Sequence, residues 1–313
     1  MSTRVTPLID RISAISPELG FVASSFDLYL QSLSRADETR SSYISAVCQL
    51  FEFLDQQGRA PVFQSVTRHD VRAFAVSLKA SKEPATVANR IRSLKQFFKW
   101  AVTDQLIELD PMTGMENPFV PIKPVPVIPE TDLKALLRTC RTDGNIWELR
   151  DYAILRIFIT TGARRSVVAN LRSEDVDLDQ GLIEVVGKGA RPRVVPVDRE
   201  SATALRLYSR ARSLQPHADL PQLWLSKSGR EFSSWGIEQM VHRRCRLAGI
   251  ERINLHKFRH TFAHMAMDRG MTDSNLMNIA GWKSRSMLDR YGASKAGERA
   301  IAAQRKLMQT FRL

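Results

Sequence analysis

The chain has 313 residues, 43% hydrophobic and 25% charged, a balance that supports folded domains rather than disorder. Lys and Arg number 46 against 33 Asp and Glu, a net charge of +13, so the surface field favours a polyanion such as nucleic acid over a neutral or acidic partner. No apolar run approaches the ~20 residues of a membrane-spanning helix, and "MSTRVTPLIDRISAISPELG" carries charged and polar residues where a signal peptide has its apolar core.

The first hundred residues read as helices. Tyr43, Val47, Leu50 and Leu54 follow the spacing of one buried stripe. Thr67 stands as an N-cap before a helix with Val71, Phe74 and Leu78 on one side. A third helix places Val87, Ile91, Leu94 and Phe98 inward. Its other side carries Arg92, Lys95 and Lys99, either a solvated face or a stripe that lies along phosphates. Only about twenty residues precede the first clear helix. From residue 111 to residue 129 come Pro111, Pro118, Pro121, Pro124, Pro126 and Pro129, a density that blocks helix and makes an extended connector.

Beyond that connector, "ETDLKALLRTC" and "WELRDYAILRIFITTG" read as helices, the second apolar enough to be central. Runs 182–186 and 193–197 flank "GKGARP" as a β-hairpin. Helices follow over 198–213, 234–248, 257–269, 273–280 and 295–311. Cys48, Cys140 and Cys245 are too few and too distant for a disulfide framework or a CxxC knuckle, which suits a reducing, cytoplasmic compartment.

"HKFRHTFAH" spaces His256, His260 and His264 by four, as metal ligands on a helix are spaced. Lys257 and Arg259 between them oppose a dication, so no metal is expected. His256 and Arg259, three apart near a helix start, suit an anion instead. "TTGARRSVVANLRSEDVDL" places Arg164 after a turn glycine, Lys188 stands in the hairpin loop, and "AGWKSRSMLDRYG" supplies Trp282 and Tyr291.

In that order these residues resemble the tyrosine recombinase (phage integrase) family. "TGARRS" is similar to its first-arginine box, "VVGKGARPRVVPV" to its hairpin lysine segment, "LHKFRHTFA" to its HxxR box and "AGWKSRSMLDRYG" to its nucleophile segment. The stretch from "TRSSYISAVCQLFEFL" to "QLIELDPMTG" is similar to its helical core-binding domain. The resemblance implies a mainly α fold with a small β-sheet or hairpin. An all-helical N-terminal core-binding domain would precede a mixed α+β catalytic domain. The expected organisation is an extension over 1–19, a DNA-binding domain over 20–110, a linker over 111–129 and a catalytic domain over 130–313. Residues 295–313 would serve subunit contacts. An arm-binding domain is not expected.

The implied activity is cleavage and rejoining of DNA strands through a 3′-phosphotyrosyl intermediate, with strands exchanged between two sites by four protomers. Tyr291 would be the nucleophile and Lys188 the proton donor to the leaving 5′ oxygen, with His256 assisting. Arg164 and Arg259 would take the place of metal ions on the phosphate, and Trp282 could donate only an N–H. No cofactor is expected. Arg243, Arg244 and Arg246 are either a solvated face or phosphate contacts. His260 is given packing or supporting duty and His264 a structural one.

The chain departs from the family pattern at Val167, where an acid usually supports the first arginine, and at Arg165. Glu174 or Asp175 is expected to take over that support. In the apolar stripe of the tail, Ala300, Ala303, Leu307 and Phe311 would dock either on a neighbouring subunit or on the same domain. Two other readings share part of the evidence: a type IB topoisomerase-like enzyme that religates one strand, and a DNA-binding protein with a degenerate site.

Overall fold

The computed structural model describes residues 4–59, 62–121, 126–140, 143–186, 192–282, 284–285, 288, 300–301, 304–305 and 308. The chain divides into two compact units, Met1–Ile122 and Lys123–Leu313.

The N-terminal unit consists of helices α1 (Thr6–Ile15), α2 (Pro17–Ser32), α3 (Asp37–Gln56), α4 (Arg68–Lys79) and α5 (Pro84–Thr103). Its core is a knot of aromatic rings around Phe97, whose ring meets Phe98 at 5.1 Å, Phe26 at 5.2 Å and Phe63 at 5.5 Å. The expected stripes are buried at Val47, Leu50, Leu54, Val71, Phe74, Leu78, Val87, Ile91, Leu94 and Phe98. Thr67 and Asp70 form a reciprocal capping box that starts α4. α1 lies where the sequence reading put an extension without clear helix. Pro7 in its first turn preorganises the start, Ile12 is fully buried, and Arg11 binds Glu52 of α3. Met112, in the first part of the proline-rich segment, is buried in this same core.

In the C-terminal unit, α6 (Glu130–Arg138) precedes α7 (Ile146–Thr161), which is buried along most of its length. α8 (Arg165–Ala169) leads to a three-stranded antiparallel sheet, β1 (Val176–Asp177), β2 (Leu182–Val186) and β3 (Pro192–Pro196). Its register pairs Ile183 with Val195 and Val185 with Arg193. Ile183, Val185 and Val195 turn to the core. Then follow α9 (Arg199–Arg212), α10 (Ser234–Leu247), α11 (Leu255–Asp268) and α12 (Asp273–Ala280). The far end of the proline-rich segment packs here: Ile128 is buried and its N–H donates to Thr261 Oγ1 of α11 at 2.8 Å. Among the described residues no helix is long and apolar enough to cross a membrane.

Candidate active site

α7 stops at Gly162, whose φ of +57 is a left-handed conformation that glycine adopts without strain. A Cβ there would stand 2.5 Å from the Phe262 ring of α11. The turn delivers Arg164 to the N-cap position of α8, half-buried, on the wall of a cavity of about 310 Å³. Ala163, Arg165, Glu238, Asn254, Leu255, His256 and Arg259 complete that wall.

α11 begins two residues earlier than the periodicity suggested, because Asn254 caps it. Its Oδ1 accepts the His256 N–H at 2.9 Å. His256 therefore sits in the first turn, where the helix favours negative charge. Desolvation, then the positive charges of Arg259 and Arg164, push its pKa below the ordinary imidazole value. The His256 and His260 rings meet edge-on at 4.6 Å. His264 turns away to Asp268, with Nδ1 at 3.1 Å from Oδ2.

Arg259 is 1% exposed, one of the most deeply buried cations of the chain. Its Nη1 donates to Gly162 O at 3.0 Å and its Nη2 to Ala280 O at 2.5 Å. The guanidinium lies 5.1 Å from the centre of the buried Trp282 ring. One side chain thus joins the turn before Arg164 to the end of α12. Arg164, His256, Arg259 and Trp282 are thereby brought together from three separate segments. Lys188 and Tyr291 lie outside the described residues, as do Ala303, Leu307 and Phe311 of the tail; Ala300 is exposed.

Two expectations are corrected. Glu174 and Asp175 do not support Arg164: Glu174 Oε1 pairs with Arg172 Nη1 at 2.8 Å, and Asp175 Oδ2 accepts the Arg172 N–H at 2.7 Å. Both carboxylates are used locally, closing the short turn that follows α8. Arg244 is no phosphate contact either. It is 4% exposed, with Nε and Nη2 on Asp151 Oδ2 and Nη1 on Thr139 O. A buried carboxylate at the centre of α7 drew it inward. Arg243 reaches the same Asp151 oxygen at 2.7 Å but is half exposed, and Arg246 is exposed. In the N-terminal unit, Arg92 and Lys99 are exposed, whereas Lys95 donates to Met115 O.

Two residues escaped the sequence reading. Glu238 of α10 pairs with Arg165 on the cavity wall. Arg193 of β3 donates from Nε to Ile279 O at 3.0 Å. The signal for Arg193 was its alternation with Val195, which puts it on the inward face of the sheet. Val167, at the departing position, is buried among apolar residues. Burial pushes the Cys48 and Cys140 thiols up to about 11, so neither is a nucleophile at neutral pH. Among the described residues no group of three His, Cys, Asp or Glu could hold a metal ion.

The model of the phage integrase family matches residues 126–298, and that of the phage integrase N-terminal SAM-like domain matches residues 23–108. Tyrosine recombinase XerC of Syntrophus aciditrophicus (strain SB) is 28% identical over 284 residues, covering 86% of this chain and 91% of that relative. XerC of Mycobacterium sp. (strain JLS) is 30% identical over 257 residues, covering 80% and 86%. The XerH site-specific recombinase bound to palindromic difH substrate, in its post-cleavage complex, shares the fold. Its TM-score is 0.70 at 17% identity, over 84% of this chain and 78% of that one. With the catalytic-domain model covering more than half of its length, the chain belongs to the phage integrase family, the tyrosine recombinases.

Proposed function

We infer that this chain is a site-specific DNA recombinase that cleaves and rejoins strands through a 3′-phosphotyrosyl intermediate. The observation that supports it most is Arg259, a buried guanidinium fixed by two main-chain carbonyls on the wall of the cavity that Arg164 and His256 share. In-line attack on a phosphodiester builds charge on the non-bridging oxygens. Cations held in place beforehand stabilise that charge without reorganising during the reaction. Arg164 and Arg259 supply them.

Tyr291 Oη attacks phosphorus and loses its proton. The bond to the 5′ oxygen breaks, and Lys188 delivers a proton to that oxygen. The phosphotyrosyl ester conserves the bond, so the free 5′ hydroxyl of a partner strand can attack it and expel Tyr291, with no external energy source. His256, whose pKa burial and the neighbouring arginines lower, takes up the proton that Tyr291 loses. Trp282 covers the Arg259 guanidinium.

The recombinase acts as a tetramer on two double-stranded DNA sites. An open cavity of about 990 Å³ in the catalytic unit, lined by Ile159, Phe262, Met265 and Met271 together with charged residues such as Arg156, Glu200 and Arg269, offers an acceptor for the tail of a neighbouring protomer. Residues 20–110 grip the duplex with the exposed Arg92 and Lys99, and the catalytic unit adds Arg243 and Arg246.

A nicked suicide duplex carrying the recognition site tests this reading. Wild type is expected to form a covalent adduct through a 3′ phosphate, also in EDTA, and Tyr291→Phe to bind without forming one. An adduct with the Phe variant would refute the nucleophile. Relaxation of supercoils by a monomer, without paired sites, would favour a topoisomerase.

A further inference from the structure

An α-helix ends with four carbonyls that its own N–H groups do not serve. All four at the end of α12 are satisfied. Met277 O accepts from Trp282 N at 2.9 Å and Asn278 O from Gly281 N at 3.2 Å, a backbone closure around a glycine of φ +64. The other two are held by arginines from remote elements. Ala280 O accepts from Arg259 and Ile279 O from Arg193.

Arg193 is an unusual residue for its position. Its register opposite Val185 puts it on the sheet face that also carries Ile183 and Val195, all three of them buried. Its guanidinium lies against Gly281, where a Cβ would stand 2.8 Å from Nη1. Burial, then the positive charge of Arg164, lowers its pKa. Among the described residues no carboxylate pairs with it. A half-buried cation without an anion, beside a second cation, is costly to keep. What Arg193 adds in return is one hydrogen bond, at the helix end that leads into Trp282.

We propose that Arg193 is a positioning residue of the phosphate site: from β3 it holds Ile279 O and so fixes the α12 terminus, Gly281 and Trp282 against the Arg259 guanidinium. Ile279 and Ala280 are consecutive, so a terminus that turns at one carbonyl carries the other away from Arg259 Nη2. The inference rests on reading Arg259 as a phosphate ligand.

Two variants of nearly equal length separate the bond from the charge. Arg193→Gln places an Nε2–H where the arginine has its Nε–H, without charge. Arg193→Met removes both. Single-turnover adduct formation on the nicked duplex is measured for each, with DNA affinity by anisotropy and thermal melting as checks on folding. Arg193→Met is expected to slow adduct formation roughly tenfold to a hundredfold with affinity kept within about threefold. Arg193→Gln should recover most of the loss. The double variant Arg193→Met with Trp282→Ala should be no more than about threefold slower than the slower single one, because both changes act on one segment.

A wild-type rate for Arg193→Met would overturn the proposal. So would Arg193→Gln as slow as Arg193→Met, which would assign the role to charge, or losses that multiply with Trp282→Ala. Arg259→Ala, run in parallel, separates the two readings. If it cleaves like wild type, the phosphate-ligand reading fails; if it is slow while Arg193→Met is normal, only the positioning role fails.

Discussion

The two units bury charge in opposite ways. Among the described residues of the N-terminal unit the buried ionic ones are Arg40, Asp27 and Asp70, and Arg40 meets Asp27 directly at 2.6 Å. In the catalytic unit Arg150, Arg156, Arg212, Arg244 and Arg259 are buried, against Asp151 as the buried carboxylate among the described residues. Main-chain carbonyls make up much of the difference. Arg212 alone donates to Ala218, Leu220, Leu223 and Gln222 O, and Arg259 to Gly162 and Ala280 O. A carbonyl dipole satisfies a guanidinium without cancelling its charge. The first unit is thus built on packing, and the second fixes several buried guanidiniums with carbonyls as well as carboxylates, Arg259 among them on the wall of the candidate site.

Breaking each kind of core should have a distinct signature. Asp151→Ala strips the partner from three arginines at once and is expected to cost the catalytic unit about 3–5 kcal/mol. Urea unfolding followed by a probe in that unit measures it. A loss below about 1 kcal/mol would mean that carbonyls and solvent suffice for those cations. Phe97→Ala, at the centre of the aromatic knot, should cost the N-terminal unit about 3–4 kcal/mol by opening a cavity. The m-value should stay unchanged if the unit still unfolds in one step.

A smaller effect sharpens the electrostatic half of the comparison. The His256 pKa is lower in the folded chain than in the unfolded one. The unfolded state therefore binds this proton first as pH falls, and stability drops as pH passes below about 6.5. His256→Gln should lose less stability than wild type between about pH 8 and about pH 5.5. An identical loss in both would show that neither burial nor the charges of Arg259 and Arg164 lower the imidazole pKa.

Periodicity made the helices legible because each buries one face: Val87, Ile91, Leu94 and Phe98 repeat as a helix repeats, and all four are buried. Thr67 was legible as a cap because its hydroxyl chemistry is local. α1 went unread although Leu8, Ile12 and Ile15 keep the i, i+4, i+7 spacing of a helix and pack into the N-terminal core. Within the site, residue type and order pointed to Arg164, His256, Arg259 and Trp282, but not to what holds them. The carbonyls of Gly162 and Ala280 leave no mark on a sequence. Arg244 read as surface because its helix is polar, and Asp151 lies 93 residues away along the chain. Glu174 and Asp175 were plausible by proximity alone, and a local turn claims both.

The central claim is that Arg259, held by carbonyls, meets the charge that develops on the scissile phosphate. The most direct measurement compares adduct formation by wild type and Arg259→Ala on two suicide duplexes. One carries the ordinary phosphodiester. The other carries a methylphosphonate at the cleavage position, where a methyl group replaces a charged oxygen. The account predicts that Arg259→Ala loses roughly 10²–10³-fold on the phosphodiester and at most about tenfold on the methylphosphonate. Equal losses on both substrates would contradict it.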